Sequence, residues 1–200
     1  MPDLVYLASQ SPRRAQLLEQ IGVNYQRLLP DPDEDAEALE VVSGREAPAI
    51  YVQRVTRLKL LAAVARMQRR RLAAAPVLCS DTTVAVGRTI LGKPETDSDA
   101  IRMLQLLSGR VHRVLTAVAL QRGNKTLEAL SISSVTFAPM TLAQIKAYVA
   151  SGEPIGKAGA YAVQGRAAVH ITRISGSYSG IMGLPLHETS LLLRAAGFKV

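Results

Sequence analysis

Along the chain the apolar positions switch between alternating and helical spacing, and each switch predicts an element. Val5 to Ala8 is a short apolar run that predicts a strand. Ser11 and Pro12 follow as N-cap and first helical residue, and Ala15, Leu17, Leu18 and Ile21 give a helical face closed by Gly22. "VNYQRLL" predicts a second strand, and the acidic, proline-bearing "PDPDEDAEALEVVSGREAP" a loop. A long helix is expected from about Ala47 to Ala74, with Tyr51, Val55, Leu58, Ala62 and Ala65 as its buried stripe.

The second half continues the alternation. "APVLCSDTTVAV" predicts a strand, "GRTILGKP" a turn and short strand, and "TDSDAIRMLQLLSG" a helix. "RVHRVLTAVALQR" and "LEALSISSVTFA" predict a hairpin with a longer loop. "TLAQIKAYVASG" reads as a helix capped by Thr141 and stopped by Gly152. A glycine-punctuated loop, "EPIGKAGAYAVQG", leads to the strand "AAVHITRI". "SGSYSGIMGLP" then reads as a loop before a last helix that runs to Ala196. The alternation predicts an α/β fold with a mixed sheet, and 200 residues suit one domain over 1–200.

Charge changes the picture next. Lys and Arg number 24 against 16 Asp and Glu, a formal net charge of +8. Such a surface attracts polyanions, either nucleic acid or small phosphorylated molecules. Aromatics are 4%, which argues against an extended stacking platform for single strands. The basic run "RMQRRR" is expected to be a solvated helix end. No apolar run reaches the length of a membrane span, and the start has no signal-peptide pattern, so a soluble, cytoplasmic protein is expected. The single cysteine, Cys79, lies in an apolar run and reads as a core residue.

Several residues could carry chemistry. Asp81 ends the apolar run "VLCSD", where a carboxylate could hold a divalent metal, activate water, or simply cap a turn. Lys59 has Val52, Val55, Ala62 and Ala63 as helical neighbours. It either snorkels to solvent or points into a site. Lys93 in "LGKP" and Lys157 in "GKAG" sit beside glycines that let backbone approach a ligand, although neither belongs to a P-loop. His112, His170 and His187 lack metal-ligand spacing and read as structural or surface residues. Arg13 and Arg14 crowd a helix start whose dipole opposes each by about 0.3–1 kcal/mol. A bound anion would reverse that sign.

Taken in order, "LASQSPRRAQLL", "PDPDE", "YVQRVTRLK", "SDTTV" with "LGKP", "LSGRVHRVLTAV", "GEPIGKAGAYAVQG" and "GSYSGIMGLPL" resemble the Maf family of nucleoside triphosphate pyrophosphatases over nearly the whole chain. The resemblance implies an elongated mixed sheet flanked by helices around a central nucleotide-binding cleft, often in a homodimer. It implies hydrolysis of a nucleoside triphosphate to monophosphate and pyrophosphate with Mg2+ or Mn2+. The family's catalytic carboxylate then falls on Asp81, its acidic-loop glutamate on Glu34, and its two lysines on Lys59 and Lys93. Its phosphate-facing residues fall on Ser9, Ser11, Arg13 and Arg14, and its glutamine on Gln164. Asp81 and Glu34 would be the metal ligands.

"SDTT" with "AYAVQG" is similar to the branch acting on dTTP and UTP, with Arg13, Thr82 and Gln164 as the specificity set. A sister branch linked to 7-methyl-GTP carries other residues at two of these positions. One departure is Gly156, where the family commonly has Asp. The alternatives are 7-methyl-GTP or broader nucleotide hydrolysis, and a basic nucleic-acid-binding or septation regulator without turnover. Neither a membrane nor nucleic acid is the expected partner.

Overall fold

The computed structural model describes residues 4–35 and 38–200; the remainder, 36–37 of the acidic loop among them, lies outside the described residues. The elements run β1 (Val5–Leu7), α1 (Pro12–Gln20), β2 (Tyr25–Arg27), α2 (Pro48–Arg69), β3 (Val77–Val86) and β4 (Thr89–Leu91). They continue with α3 (Asp97–Leu107), β5 (Val111–Arg122), β6 (Lys125–Phe137), α4 (Leu142–Val149), β7 (Ile171–Ser175), α5 (Tyr178–Met182) and α6 (Leu186–Ala195). The strands form one mixed sheet in the order β2-β1-β3-β5-β6-β7, with β4 also on β3. β1 pairs in parallel with both β2 and β3, whereas β3, β5, β6 and β7 pair antiparallel. The mixed α/β class expected from the alternation is therefore the observed one.

Each face of the sheet buries its own residues. Val5, Leu7, Leu78, Val118 and Leu120 pack with Leu18, Leu184 and Leu193. Tyr6, Val77, Cys79 and Ala119 point the other way and meet Leu60 and Ala63 of α2. This is the period-two alternation of a strand covered on both sides. Beyond β4, a separate core gathers Val84, Leu104, Leu107, Val135, Phe137 and Ile145. Each fully buried leucine contributes about 1.5–3 kcal/mol relative to exposure.

Several expected boundaries move. Helix α2 stops at Arg69 rather than near Ala74. Arg71 takes φ +51 there, and Arg71 N–H and Leu72 N–H donate to the carbonyls of Gln68 and Met67. These are the two bonds of a Schellman motif, formed here without its usual glycine. The buried stripe of α2 is Val52, Val55, Thr56, Leu60 and Ala63 together with Tyr51, while Leu58 and Ala62 are half-buried and Ala65 is exposed. The β5–β6 loop is only Gly123-Asn124, with Gly123 at φ +57 where a type II′ turn places its glycine. Within the expected loop, "SGSYSGIMGLP", Ser177 caps the short helix α5 by accepting from Gly180 N–H at 3.0 Å. The strand expected from Ala167 begins only at Ile171, after a 3-10 turn over Arg166–His170.

Ser11 occupies the N-cap of α1, but its hydroxyl makes no capping bond; instead its N–H donates to Ser9 Oγ at 3.1 Å. Thr141 does cap α4, through a reciprocal box with Gln144. Among the described residues no helix is long and apolar enough to cross a membrane.

Candidate active site

Strand β3 is flanked on one edge by β1 at Val77 and Leu78, and by β4 from Val84 to Val86. Between them, residues 79–83 have no strand on that edge among the described residues. This gap is a switch point, where the parallel neighbour ends before the antiparallel one starts. A cleft of about 950 Å3 opens over it. Loops after β1, after β4 and before β7 converge on it, together with the acidic loop and α2. Ser9, Ser11, Arg13, Arg14, Glu34, Lys59, Asp81, Thr82, Lys93 and Gln164 all line this one cleft.

On the α2 side, Asp81 projects towards Lys59, whose Nζ donates to Asp81 Oδ1 at 2.5 Å and to Glu40 Oε1 at 2.7 Å. Lys93 Nζ lies 3.1 and 3.0 Å from the two oxygens of the same Glu40. Charges therefore alternate along Asp81, Lys59, Glu40 and Lys93. Burial pushes the Glu40 carboxyl up, but Lys59 and Lys93 outweigh it and hold the group below its ordinary range. Tyr51 steadies this loop by donating its hydroxyl to the Glu40 carbonyl at 2.7 Å. Burial, with Asp81 and Glu40 nearby, pushes the Tyr51 phenol up to about 12. Sequence reasoning missed Glu40, because one carboxylate among the closely spaced acids of a loop carries no periodic signal.

Glu34 also faces the cleft, but its carboxylate is engaged. Arg66 Nε donates to its two oxygens at 3.0 and 3.2 Å, Arg66 Nη2 adds a third bond, and Arg69 Nη2 lies 2.5 Å from Oε1. The Arg66 hydrogen bonds hold the Glu34 carboxyl down to about 2. Arg66 is 4% exposed and also donates to the Leu28 carbonyl at 2.9 Å. The start of "RMQRRR" is thus buried rather than solvated, and the run pins the acidic loop to α2. The folded carboxyl lies below its unfolded value of 4.5, so its stabilisation is present above pH 4.5 and disappears as pH falls towards about 2. Arg66→Met should cost about 2 kcal/mol at neutral pH, a Tm fall of about 4–8 °C. It should also flatten the acid dependence of stability in that window. Thermal unfolding at a series of pH values checks this, and an unchanged Tm would contradict it.

Ser80 and Thr82 alternate to the opposite face of β3, where α1 and α5 meet. Arg14 is wedged between these elements. Its Nε donates to the Gly183 carbonyl at 2.8 Å, Nη1 to Ser9 Oγ at 3.2 Å and Nη2 to Thr82 Oγ1 at 3.4 Å. Burial lowers the pKa of the Arg14 guanidinium, and the Asp81 charge opposes that shift. Arg13 is less tied down: its Nε is buried with no hydrogen-bond partner. Burial lowers the pKa of Arg13 and of Lys157, and the charge of Arg13 lowers Lys157 further. Two cations facing each other in this way favour an anion between them.

The loop carrying Gln164 is fastened from behind. Glu153 accepts from the Tyr148 hydroxyl at 2.8 Å and from Arg166 N–H at 2.9 Å. A Cβ on Gly165 would run into the Glu153 carboxylate, so a side chain there would push that carboxylate off Tyr148 and Arg166. Gly159 holds the other end of the loop. It takes φ +69, lies against Val84 and donates its N–H to the Gly92 carbonyl at 3.0 Å. Gln164 itself is exposed at the cleft mouth. Tyr161, also in the wall, pairs with buried His112 Nε2 at 2.8 Å, and burial pushes the His112 imidazole down to about 4. His112 is structural, as read from its spacing. Cys79 is fully buried and its thiol is pushed up to about 12, a core residue as expected.

Among the described residues no three or more His, Cys, Asp or Glu side chains group as a metal cage. Asp81 and Glu40 nevertheless share one partner, each accepting from Lys59 Nζ. Such a donor set fits a hard cation that takes its remaining ligands from water and phosphate oxygens.

A cationic cleft with paired carboxylates, set over a gap in a mixed sheet, marks a protein built to receive a small polyanion. The chain belongs to the Maf family: the family profile described as "Maf-like protein" matches residues 4–196. The chain is 73% identical to a dTTP/UTP pyrophosphatase of Polaromonas sp. (strain JS666 / ATCC BAA-500), over 99% of this chain and 98% of that one. It is 64% identical to a dTTP/UTP pyrophosphatase of Albidiferax ferrireducens over the full length of both, and 61% identical to one of Cupriavidus pinatubonensis over 98% of each. Among solved structures, the Staphylococcus aureus Ham1 protein aligns with a TM-score of 0.46 and 18% identity, over 68% of this chain and 72% of that one.

Proposed function

We propose that this protein hydrolyses dTTP and UTP to the nucleoside monophosphate and pyrophosphate. The observation that carries the reading is the single cleft in which the Asp81–Lys59–Glu40–Lys93 array faces the Arg13 and Arg14 corner. Relatives named dTTP/UTP pyrophosphatase at 73% and 64% identity support the choice of nucleotide.

A nucleoside triphosphate brings about four negative charges near neutral pH, and cleavage requires that charge to be screened. Arg13 offers a planar fork with an unanswered Nε–H, and Ser9 and Ser11 add hydroxyls at the same corner. Arg14 spends its N–H groups mainly on bracing the wall, so its share in phosphate binding is smaller. The first-turn N–H groups of α1 have no intrahelical acceptors and add further donors. Lys59 and Lys93 balance the phosphates on the opposite side while keeping the two carboxylates in place. Mg2+ or Mn2+, when bound, supplies Lewis-acid screening of the phosphates and makes a coordinated water more acidic. Asp81 and Glu40 would hold it, and Asp81 would also orient and deprotonate the attacking water. Glu34, with both oxygens on arginines, serves chiefly to shape the loop that carries Glu40. The homodimer and the cytoplasmic location implied by the resemblance belong to the same proposal.

Gln164 lines the cleft, and its amide would pair with a pyrimidine carbonyl and imide. Gln164→Glu should lower kcat/KM for dTTP and UTP about tenfold or more, and should weaken competition by inorganic triphosphate much less. A substrate profile unchanged by the substitution would contradict the role. The function as a whole is tested by pyrophosphate release across a panel of nucleoside triphosphates with Mg2+. dTTP and UTP should lead the panel, and preference for a purine nucleotide would overturn the reading.

A further inference from the structure

The cleft carboxylate Glu40 is the last residue of a 3-10 turn, Ala38–Glu40, and the chain from there to α2 enters no strand. A carboxylate on such a segment goes where its main chain goes. Lys59 and Lys93 meet the Glu40 side chain, but both stand on flexible four-carbon stems and can follow it. The main chain itself is held from α2. Tyr51 donates its hydroxyl to the Glu40 carbonyl at 2.7 Å. One turn further along α2, Arg54 Nη2 donates to the next carbonyl, that of Val41, at 2.9 Å.

The same guanidinium grips the far end of the segment. Arg54 Nε lies 3.0 Å from Glu46 Oε2, and Nη2 lies 2.5 Å from Glu46 Oε1, a two-pronged fork. Glu46 Oε1 also accepts from Ser43 N–H at 2.8 Å. Arg54 Cζ stands 5.6 Å from the centroid of the Tyr51 ring, over its face. One side chain thus joins Val41, Glu46 and Tyr51 in a single brace. Neither Arg54 nor Glu46 is among the described residues that line the cleft, so the brace acts on the site through Glu40. The Arg54 side chain is 31% exposed, and an ion pair this open to water adds little to global stability. What the planar fork does supply is one fixed orientation for the segment. We propose that Arg54 is a positioning residue: by tying Val41 and Glu46 to α2 it sets the Glu40 carboxylate against Lys59 and Asp81, and with it the affinity of the cleft for a divalent cation. The inference rests on the reading in which Asp81 and Glu40 hold that cation. Groups that orient metal ligands change metal affinity or activity by about 10–100-fold.

The test compares full-length wild type, Arg54→Met and Arg54→Lys by titration calorimetry with Mn2+ in the absence of nucleotide, and by kcat/KM for dTTP across a series of Mg2+ concentrations. Arg54→Met should weaken Mn2+ binding about tenfold, and its loss of kcat/KM should shrink as Mg2+ rises. By charge alone the substitution would do the reverse, since removing a cation near two carboxylates favours Mn2+. Weaker binding therefore reports position. Arg54→Lys keeps the charge but lacks the fork, so it too should bind Mn2+ more weakly than wild type. Lys carries the comparison if Met does not fold, and circular dichroism with thermal unfolding checks each variant. Unchanged or tighter Mn2+ binding in folded Arg54→Met, or wild-type affinity in Arg54→Lys, would overturn the inference alone. A wild type that binds no Mn2+ would overturn the underlying reading of Asp81 and Glu40 with it.

Discussion

Replacing Asp81 with Asn should lower pyrophosphate release from dTTP with Mg2+ by about 10²–10⁴-fold and leave the fold intact. Asparagine has nearly the same shape and keeps one oxygen to accept from Lys59, which now lies 2.5 Å from Asp81 Oδ1. It loses the negative charge and with it the capacity to take a proton from water or to hold a cation firmly. Lys59 retains Glu40 at 2.7 Å, so the ammonium is not left buried and alone. Stability should therefore change little, and circular dichroism with thermal unfolding separates that from the loss of turnover. Near wild-type turnover in a folded Asp81→Asn protein would remove Asp81 from the chemistry.

The second large effect is expected at Lys59. Lys59→Met keeps the apolar stem but removes the ammonium that bridges Asp81 and Glu40. Turnover should fall about 10²–10³-fold, the usual result of losing a preorganised charge at a site where negative charge accumulates. A second readout distinguishes this from local unfolding. With Lys59 gone, the two carboxylates lose their shared counter-charge, so titration calorimetry without nucleotide should show tighter Mn2+ binding while activity falls. Turnover within a few fold of wild type, or weaker Mn2+ binding, would contradict the bridging role.

Much of this arrangement can be read along the chain, and the exceptions share a cause. Periodicity found the α/β alternation because burial imposes one spacing on strands and another on helices, and both are local to the element. Turn chemistry found the α4 cap at Thr141, which depends only on neighbours within one turn. The end of α2 was misplaced because residues 70–74 suit a helix, and closure comes from Arg71 in a left-handed conformation that no glycine announces. Arg66 looked solvated because its partners, Glu34 and the Leu28 carbonyl, lie more than thirty positions earlier in the chain. At the site, resemblance brought together residues that do converge in one cleft. It did not bring out Glu40, which bonds Lys59 and Lys93, or Glu153, which fastens the loop carrying Gln164. Such roles rest on hydrogen bonds across the fold, for which a linear pattern has no code.

The opposition of Arg13 and Arg14 to the α1 dipole also resolves differently for the two residues. Arg14 is compensated within the protein by Gly183, Ser9 and Thr82. Arg13 retains a buried Nε without a partner. A helix start that carries such a charge is most stable with an anion in the cleft.

The central claim is cleavage between the α and β phosphates, and product identity tests it most directly. Wild-type protein incubated with dTTP and Mg2+, with products separated by ion exchange and followed by phosphorus NMR, should yield dTMP and pyrophosphate in equal amounts. Formation of dTDP and inorganic phosphate, or dTTP left intact, would contradict it.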